Sequence, residues 1–82
     1  MPWNYRIVRQ EVVKVFGEIE ELYAIHEAYY KTKRSKKPYS ISVDSMEPHG
    51  STLAELKNDL NMMKKALTLP VLEYSDFVET VE

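Results

Sequence analysis

An amphipathic helix signature in the second half of the chain is the strongest constraint on the fold. Thr52-Leu53-Ala54-Glu55 matches a capping box, in which the threonine hydroxyl accepts from the third backbone N–H and the glutamate reaches back. Apolar residues then recur every three or four positions, as one helix face requires. Pro70 prevents continuation, so we predict a helix over about 52–68 with this stripe in the core. The stripe consists of Leu53, Leu56, Leu60, Met63 and Leu67.

The residues before the helix show the patterns of β-strands. Residues 5–15 are rich in β-branched types, and residues 19–30 alternate between two faces, with Gly17 as the turn between them. A third, weaker strand is predicted over 38–43, where Pro38 suits a strand start or an edge. The order β-β-β-α predicts an α+β fold. It is a three-stranded antiparallel meander with one long helix packed on one face, a short C-terminal segment, and the other face short of cover.

Length and composition favour one domain over residues 1–82 and one hydrophobic core. The chain has no cysteine, which excludes disulfides and thiolate sites and fits a reducing compartment. No run approaches the roughly 20 apolar residues of a membrane span, and residues 1–6 lack a signal pattern. We therefore expect a cytoplasmic protein with no membrane partner.

Charge is unevenly distributed along the chain. Residues 31–37 hold five of the 11 basic residues and no acidic one, so we expect a mobile loop that extends into water. This loop is either a soluble turn that protects strand edges or a hook for an acidic surface. Residues 73–82 form an acidic tail with helix-like apolar spacing, and we predict order through about Phe77 and fraying beyond.

The residues that could carry catalysis do not form a constellation. His26 and Glu27 are adjacent on a strand and therefore point to opposite faces, which favours a structural or hydrogen-bonding role for His26. His49 lies in a Pro-Gly turn, and no ligand spacing links it to His26. Gly17 and Gly50 are the only glycines, so a glycine-rich phosphate loop is excluded. We predict no enzyme activity, no cofactor and no metal site.

Six tyrosines in so small a chain indicate an interaction surface, because tyrosine supplies contact area and tolerates water. Strand alternation places Tyr23 and Tyr29 on one face of the sheet and Tyr30 on the other. The alternative is that these are ordinary half-buried strand residues. Together with the basic loop and the tail, the candidate partner-binding residues are Lys31, Lys33, Arg34, Lys36, Lys37, Tyr23, Tyr29, Tyr30, Tyr39 and Phe77.

Several short segments resemble a family of small uncharacterised bacterial proteins. They are Trp3-Asn4-Tyr5-Arg6, residues 23–30, residues 47–56 and Pro70-Val71-Leu72-Glu73-Tyr74. That family has no established activity, so the resemblance implies the fold more than the function. Residues 50–55 and the strands before them are also similar to the partial ribonuclease-H-like domain of HicB-type antitoxins. This likeness implies binding to a partner protein, although the chain lacks the DNA-binding segment that such antitoxins append.

These observations favour a non-catalytic protein-binding regulatory or inhibitor module that binds another protein, including a homodimer partner. The alternative is a nucleic-acid-binding or antitoxin-like regulator that uses the basic hairpin 31–37 with Tyr30 and Tyr39. The acidic remainder of the chain would repel a duplex around that contact. A small enzyme is the third alternative.

Overall fold

A long antiparallel hairpin is the frame of the fold. The computed structural model describes residues 2–77, and in it β1 (Trp3–Val13) pairs with β2 (Ile19–Tyr29) along the full length of both strands. At the turn, Gly17 donates to the carbonyl oxygen of Lys14 over 2.9 Å and has a φ of 82°, a conformation that favours glycine. The structure thus contains the predicted hairpin, with β1 shifted toward the N-terminus relative to residues 5–15.

On one side of this hairpin, β3 (Ser40–Ile41) pairs antiparallel with β2. It is shorter than the predicted 38–43 at both ends, and at the N-terminal end Pro38 has no N–H to donate. The contact with β2 nevertheless extends beyond the strand: Tyr39 and Ser42 also donate to carbonyl oxygens of β2 residues, each over 2.9 Å. The chain therefore follows the edge of β2 as an irregular segment.

On the other side, β4 (Leu72–Glu73) pairs parallel with β1 next to Val8 and Arg9. The sheet is therefore mixed and has four strands in the order β3-β2-β1-β4. The three predicted strands are antiparallel neighbours, but the predicted meander is incomplete because it lacks the parallel strand β4. A two-residue strand is too short to show alternation. It forms because Pro70 ends the helical segment and the chain then reaches the outer edge of β1.

The helix α1 (Leu53–Lys65) begins where the capping box predicts. The Thr52 Oγ1 accepts from the backbone N–H of Glu55 over 3.1 Å, and the Glu55 carboxylate accepts from the N–H of Ser51 over 3.1 Å. A short 3-10 helix (Ala66–Thr68) follows, so the predicted span 52–68 is helical but its last turn is tightened.

The five-residue apolar stripe predicted for the helix is only partly in the core. Met63 is buried and Leu56 is half-buried, whereas Leu53, Leu60 and Leu67 are exposed. The helix contacts β1 through a face that contains Met63 and Ala66. The leucines at positions seven apart lie to one side of this contact, because heptad spacing returns nearly to the same helix face.

Two apolar clusters form, one on each face of the sheet. Under α1, Tyr5 packs with Met63 and Ala66, and the half-buried Ile7 and Ile25 join them. The opposite face is not short of cover, contrary to the sequence prediction. The segment after β4 ends in a 3-10 helix (Tyr74–Phe77) that brings Phe77 against it. This second cluster consists of Val8, Ala28, Tyr30, Ile41 and Phe77.

Candidate functional site

The basic segment 31–37 forms a compact turn rather than an extended excursion. The Thr32 Oγ1 accepts from the backbone N–H of Arg34 over 3.3 Å, and the N–H of Ser35 donates to the Thr32 carbonyl over 3.2 Å. All five cationic side chains are exposed, and within residues 2–77 none of them forms a salt bridge. The segment therefore presents unpaired positive charge; its mobility stays a prediction. These residues are Lys31, Lys33, Arg34, Lys36 and Lys37.

The tyrosines predicted to bind a partner occupy different environments. Tyr23 and Tyr29 lie on the face of β2 that α1 covers, but only Tyr23, which is 56% exposed, extends beyond the helix. Tyr29 is half-buried and donates to the Glu27 carboxylate over 2.7 Å. Tyr39 lies at the surface beside β3 and is 36% exposed. Tyr23 and Tyr39 are therefore the tyrosines of this set that a partner can reach most directly.

Tyr30 and Phe77 must be removed from the candidate binding residues. Both are buried in the second cluster, because strand alternation turns Tyr30 inward and the segment after β4 packs Phe77 on the same face. The Tyr30 hydroxyl accepts from Arg6 over 2.9 Å and donates to Asn4 over 2.9 Å. The part of the predicted acidic tail beyond Phe77, residues 78–82, lies outside the described residues.

The distal half of the β1–β2 hairpin projects from the fold as an arm. We define the hairpin arm as residues 11–22, all of which are exposed. Val15 and Phe16 at its tip are 94% and 93% exposed. In the part of the chain that the structure describes, β4 pairs with β1 only at Val8 and Arg9, and β3 pairs with β2 only at Ala28 and Tyr29. Both outer edges of the arm are therefore open to pairing or to a partner.

Sequence reasoning missed the hairpin arm, although a signal was present. Val15-Phe16 stands directly before Gly17 in the turn, where polar residues and proline are usual. An apolar pair at a turn tip cannot reach its own core across the length of a hairpin. Such a pair therefore stays exposed unless something outside the hairpin covers it.

The hairpin arm is also acidic. Glu11, Glu18, Glu20 and Glu21 face a single cation, Lys14, which pairs with Glu20. At the base of the arm Arg9 contacts Glu21 at 2.6 Å and Glu73 of β4 at 3.0 Å. These contacts tie the arm to the sheet at its base and leave Glu18 as the arm glutamate that has no ion pair within residues 2–77.

A second exposed apolar surface lies on α1 and its 3-10 extension. We call Leu53, Leu60 and Leu67 the leucine stripe; they are 67%, 47% and 72% exposed. Lys57 and Lys64 each follow a stripe leucine by four positions, so they are its neighbours on the helix surface. The leucine stripe is thus apolar with a cationic border.

Ionisable groups between β1 and α1 serve as structural links. The Tyr5 hydroxyl donates to Asp59 Oδ1 over 2.6 Å, and the N–H of His49 donates to Asp59 Oδ2 over 3.0 Å. These two hydrogen bonds lower the pKa of Asp59, and burial followed by the bond to Asp59 raises the pKa of Tyr5 to about 12. Tyr5 therefore remains a neutral donor and Asp59 an ionised acceptor near neutral pH, so neither is tuned for proton transfer.

His26 has a structural environment. It is buried on the face opposite Glu27, as the sequence predicts, and its Nδ1 donates to the Ser42 carbonyl over 2.9 Å. Its ring lies 6.1 Å from that of Tyr74. His49 is on the other side of the sheet, beside Tyr5 and Asp59. The two histidines therefore do not meet.

We predict that Tyr5 and Tyr29 ionise late in an alkaline titration. The pKa of Tyr29 is raised to about 12, first by its hydrogen bond to Glu27 and then by burial, and that of Tyr5 to about 12 as described. Because both folded-state values exceed the ordinary 10.0, the stability they contribute is complete below pH 10 and is lost as pH rises toward 12. Ultraviolet phenolate absorbance of the wild type and of Tyr5→Phe measures this. Identical titration of all tyrosines near the ordinary value would contradict it.

No family model, curated protein or solved structure matches this chain. Within residues 2–77, no helix is both long and apolar enough to span a bilayer.

Proposed function

We propose that this protein is a non-catalytic protein-binding module whose hairpin arm inserts its apolar tip into a partner, in the first instance a second copy of the chain. The exposure of Val15 and Phe16 at the arm tip carries this proposal. Water-exposed aromatic and aliphatic side chains at a turn stabilise nothing within the chain, whereas their burial against a partner gains about 25 cal/mol per Å².

Charge complementarity favours a second copy as the partner. The hairpin arm combines apolar side chains with four glutamates, of which Glu18 has no cation partner within residues 2–77. The leucine stripe combines apolar side chains with Lys57 and Lys64. Each surface has the chemistry that the other requires, and contact between the arm of one copy and the stripe of another would cover both. The excess of glutamates on the arm also disfavours contact with an anionic membrane.

The ionisable groups support a binding role over catalysis. The Tyr5 hydroxyl and the Asp59 carboxylate are occupied in linking β1 to α1, and the His26 ring is held by the Ser42 carbonyl. Regulation or inhibition of another protein is the activity that such a module could exert through the same arm.

Light scattering over a concentration series tests the proposal. We expect a mass above the 9.6 kDa of one chain, and a return to that mass in Val15→Ser/Phe16→Ser. Leu53→Ser/Leu67→Ser should have the same effect, because it removes the other half of the contact. All four positions are highly exposed, so in both variants the free energy of unfolding of the single chain should stay within about 0.5 kcal/mol of the wild-type value.

Mixing the two variants identifies the contact. The stripe variant keeps an intact arm and the arm variant keeps an intact stripe, so the mixture should form a complex that neither variant forms alone. A strict monomer at all concentrations would refute self-association. Association of the wild type without rescue in the mixture would instead indicate that arms contact arms.

A further inference from the structure

We propose that the protein binds the phosphate group of a small phosphate monoester in a cationic cavity between the start of β1 and the basic segment 31–37. The cavity has a volume of about 290 Å³. Among residues 2–77, its lining includes three cations, Arg6, Lys33 and Lys36, and no aspartate or glutamate. The hairpin arm and the leucine stripe contribute nothing to it, so this site is independent of the proposed self-association.

Arg6 is the central observation. It is only 5% exposed, yet in the part of the chain that the structure describes it has no carboxylate partner. One terminal nitrogen donates to the Tyr30 hydroxyl over 2.9 Å and the other to the Pro70 carbonyl over 2.7 Å, while the buried Nε has no acceptor within residues 2–77. A guanidinium is always charged, and burying a charge without a counter-ion is costly. An anion in the adjoining cavity would relieve this cost.

Arg9, the other arginine of β1, is a cation whose charge is balanced by carboxylates within the fold. Arg9 contacts Glu11, Glu21 and Glu73 at 3.7, 2.6 and 3.0 Å and is less deeply buried than Arg6. The more buried of the two cations is therefore the one without a counter-ion among the described residues. This is the reverse of what folding alone favours, and it is typical of a site that binds a ligand.

The turn within the basic segment positions the remaining cations. The N–H of Thr32 donates to Ser35 Oγ over 3.3 Å and the N–H of Ser35 to the Thr32 carbonyl over 3.2 Å, which closes the turn. Lys33 and Lys36, within and directly after this turn, line the cavity together with Thr32 and Ser35. Hydroxyl groups and lysines thus line the same cavity as Arg6.

The chemistry of the lining selects a phosphate group. A phosphate monoester carries a charge of about −1.5 to −2 near neutral pH and offers three terminal oxygens, whereas a carboxylate carries one charge on two oxygens. Arginine matches such oxygens with a planar fork of donors, and lysine adds point charge. Pro2 and Leu69 also line the cavity and supply apolar surface for the organic part of the ligand. The volume lies at the lower end of the range for small-molecule sites, so the ligand is small.

Isothermal titration calorimetry with phenyl phosphate tests the proposal. We expect phenyl phosphate to bind more tightly than inorganic phosphate, because its ring can contact the apolar surface of Pro2 and Leu69. Benzoate, with the same ring and one charge less, should bind at least about tenfold more weakly. Lys33→Gln/Lys36→Gln should weaken phenyl phosphate binding at least about tenfold, because it removes two charge-assisted contacts.

Lys31→Gln/Arg34→Gln is the matched control, because it removes the same charge from the same segment at positions outside the cavity lining. It should change the affinity less than about twofold. All four positions are exposed, so both variants should fold with nearly unchanged melting temperatures. Equal weakening in the two variants, or equal binding of benzoate and phenyl phosphate, would overturn the proposal. Binding of a short single-stranded oligonucleotide without binding of phenyl phosphate would overturn it in favour of nucleic-acid recognition.

Discussion

Replacing Ile41 with alanine is expected to lower the free energy of unfolding by about 3 kcal/mol. Ile41 is 1% exposed and packs in the second cluster with Val8 and Ala28. It is also one of the only two residues of β3, so the cavity weakens the packing that holds this strand to β2. A chain of this length has a total stability of roughly 4–12 kcal/mol, so the loss is a large fraction of it.

Denaturant unfolding followed by circular dichroism measures this effect. Val43→Ala is the matched control, because Val43 is close in sequence but 42% exposed. It should change the free energy of unfolding by no more than about 0.5 kcal/mol. If Ile41→Ala and Val43→Ala lowered the free energy of unfolding equally, the burial of Ile41 would not be what stabilises β3.

Gly50→Ala is expected to destabilise the fold by about 2–3 kcal/mol. A Cβ at this position would lie 2.5 Å from the backbone nitrogen of Leu56 and 2.8 Å from the carbonyl carbon of Glu55. Backbone in the first turn of α1 cannot move aside without disturbing the bonds that Ser51 and Thr52 make to Glu55. The sequence shows Gly50 as a turn residue, and the structure shows that close approach to the helix backbone is what requires it.

Gly17→Ala provides the comparison for Gly50→Ala. Gly17 has a φ of 82° but nothing within 4 Å of an added Cβ, so only backbone strain of about 1 kcal/mol opposes the substitution. Thermal and denaturant unfolding of both variants should therefore rank Gly50→Ala as clearly the more harmful. The opposite ranking would mean that the approach of Gly50 to the helix is readily relaxed.

The two proposed binding surfaces place different demands on the fold. A two-stranded ribbon without a packed face is marginally stable alone, so the hairpin arm depends on Arg9 and the sheet at its base. The cationic cavity instead depends on the buried guanidinium of Arg6 between Tyr30 and Pro70. Substitutions at the arm tip should leave phosphate binding intact, and substitutions of Lys33 and Lys36 should leave the oligomeric state intact.

Local patterns in the sequence determined the elements whose causes are local. The capping box placed the start of α1 at Thr52, where the structure has the predicted bond to Glu55. Alternation predicted the hairpin and the opposite orientations of His26 and Glu27, because a strand has a period of two whatever surrounds it. These features depend on backbone geometry and near neighbours, which a sequence contains directly.

Only the tertiary structure decided which apolar residues stay exposed and which charged residues are buried. Leu53, Leu60 and Leu67 have the spacing of core residues, but the helix rotates about its axis to pack through Met63 and Ala66 and leaves them exposed. β4 exists because the chain after Pro70 meets a free edge of β1, and Arg6 is buried because this return covers it. Burial depends on contacts between residues far apart in the chain, and sequence spacing alone does not specify where those contacts form.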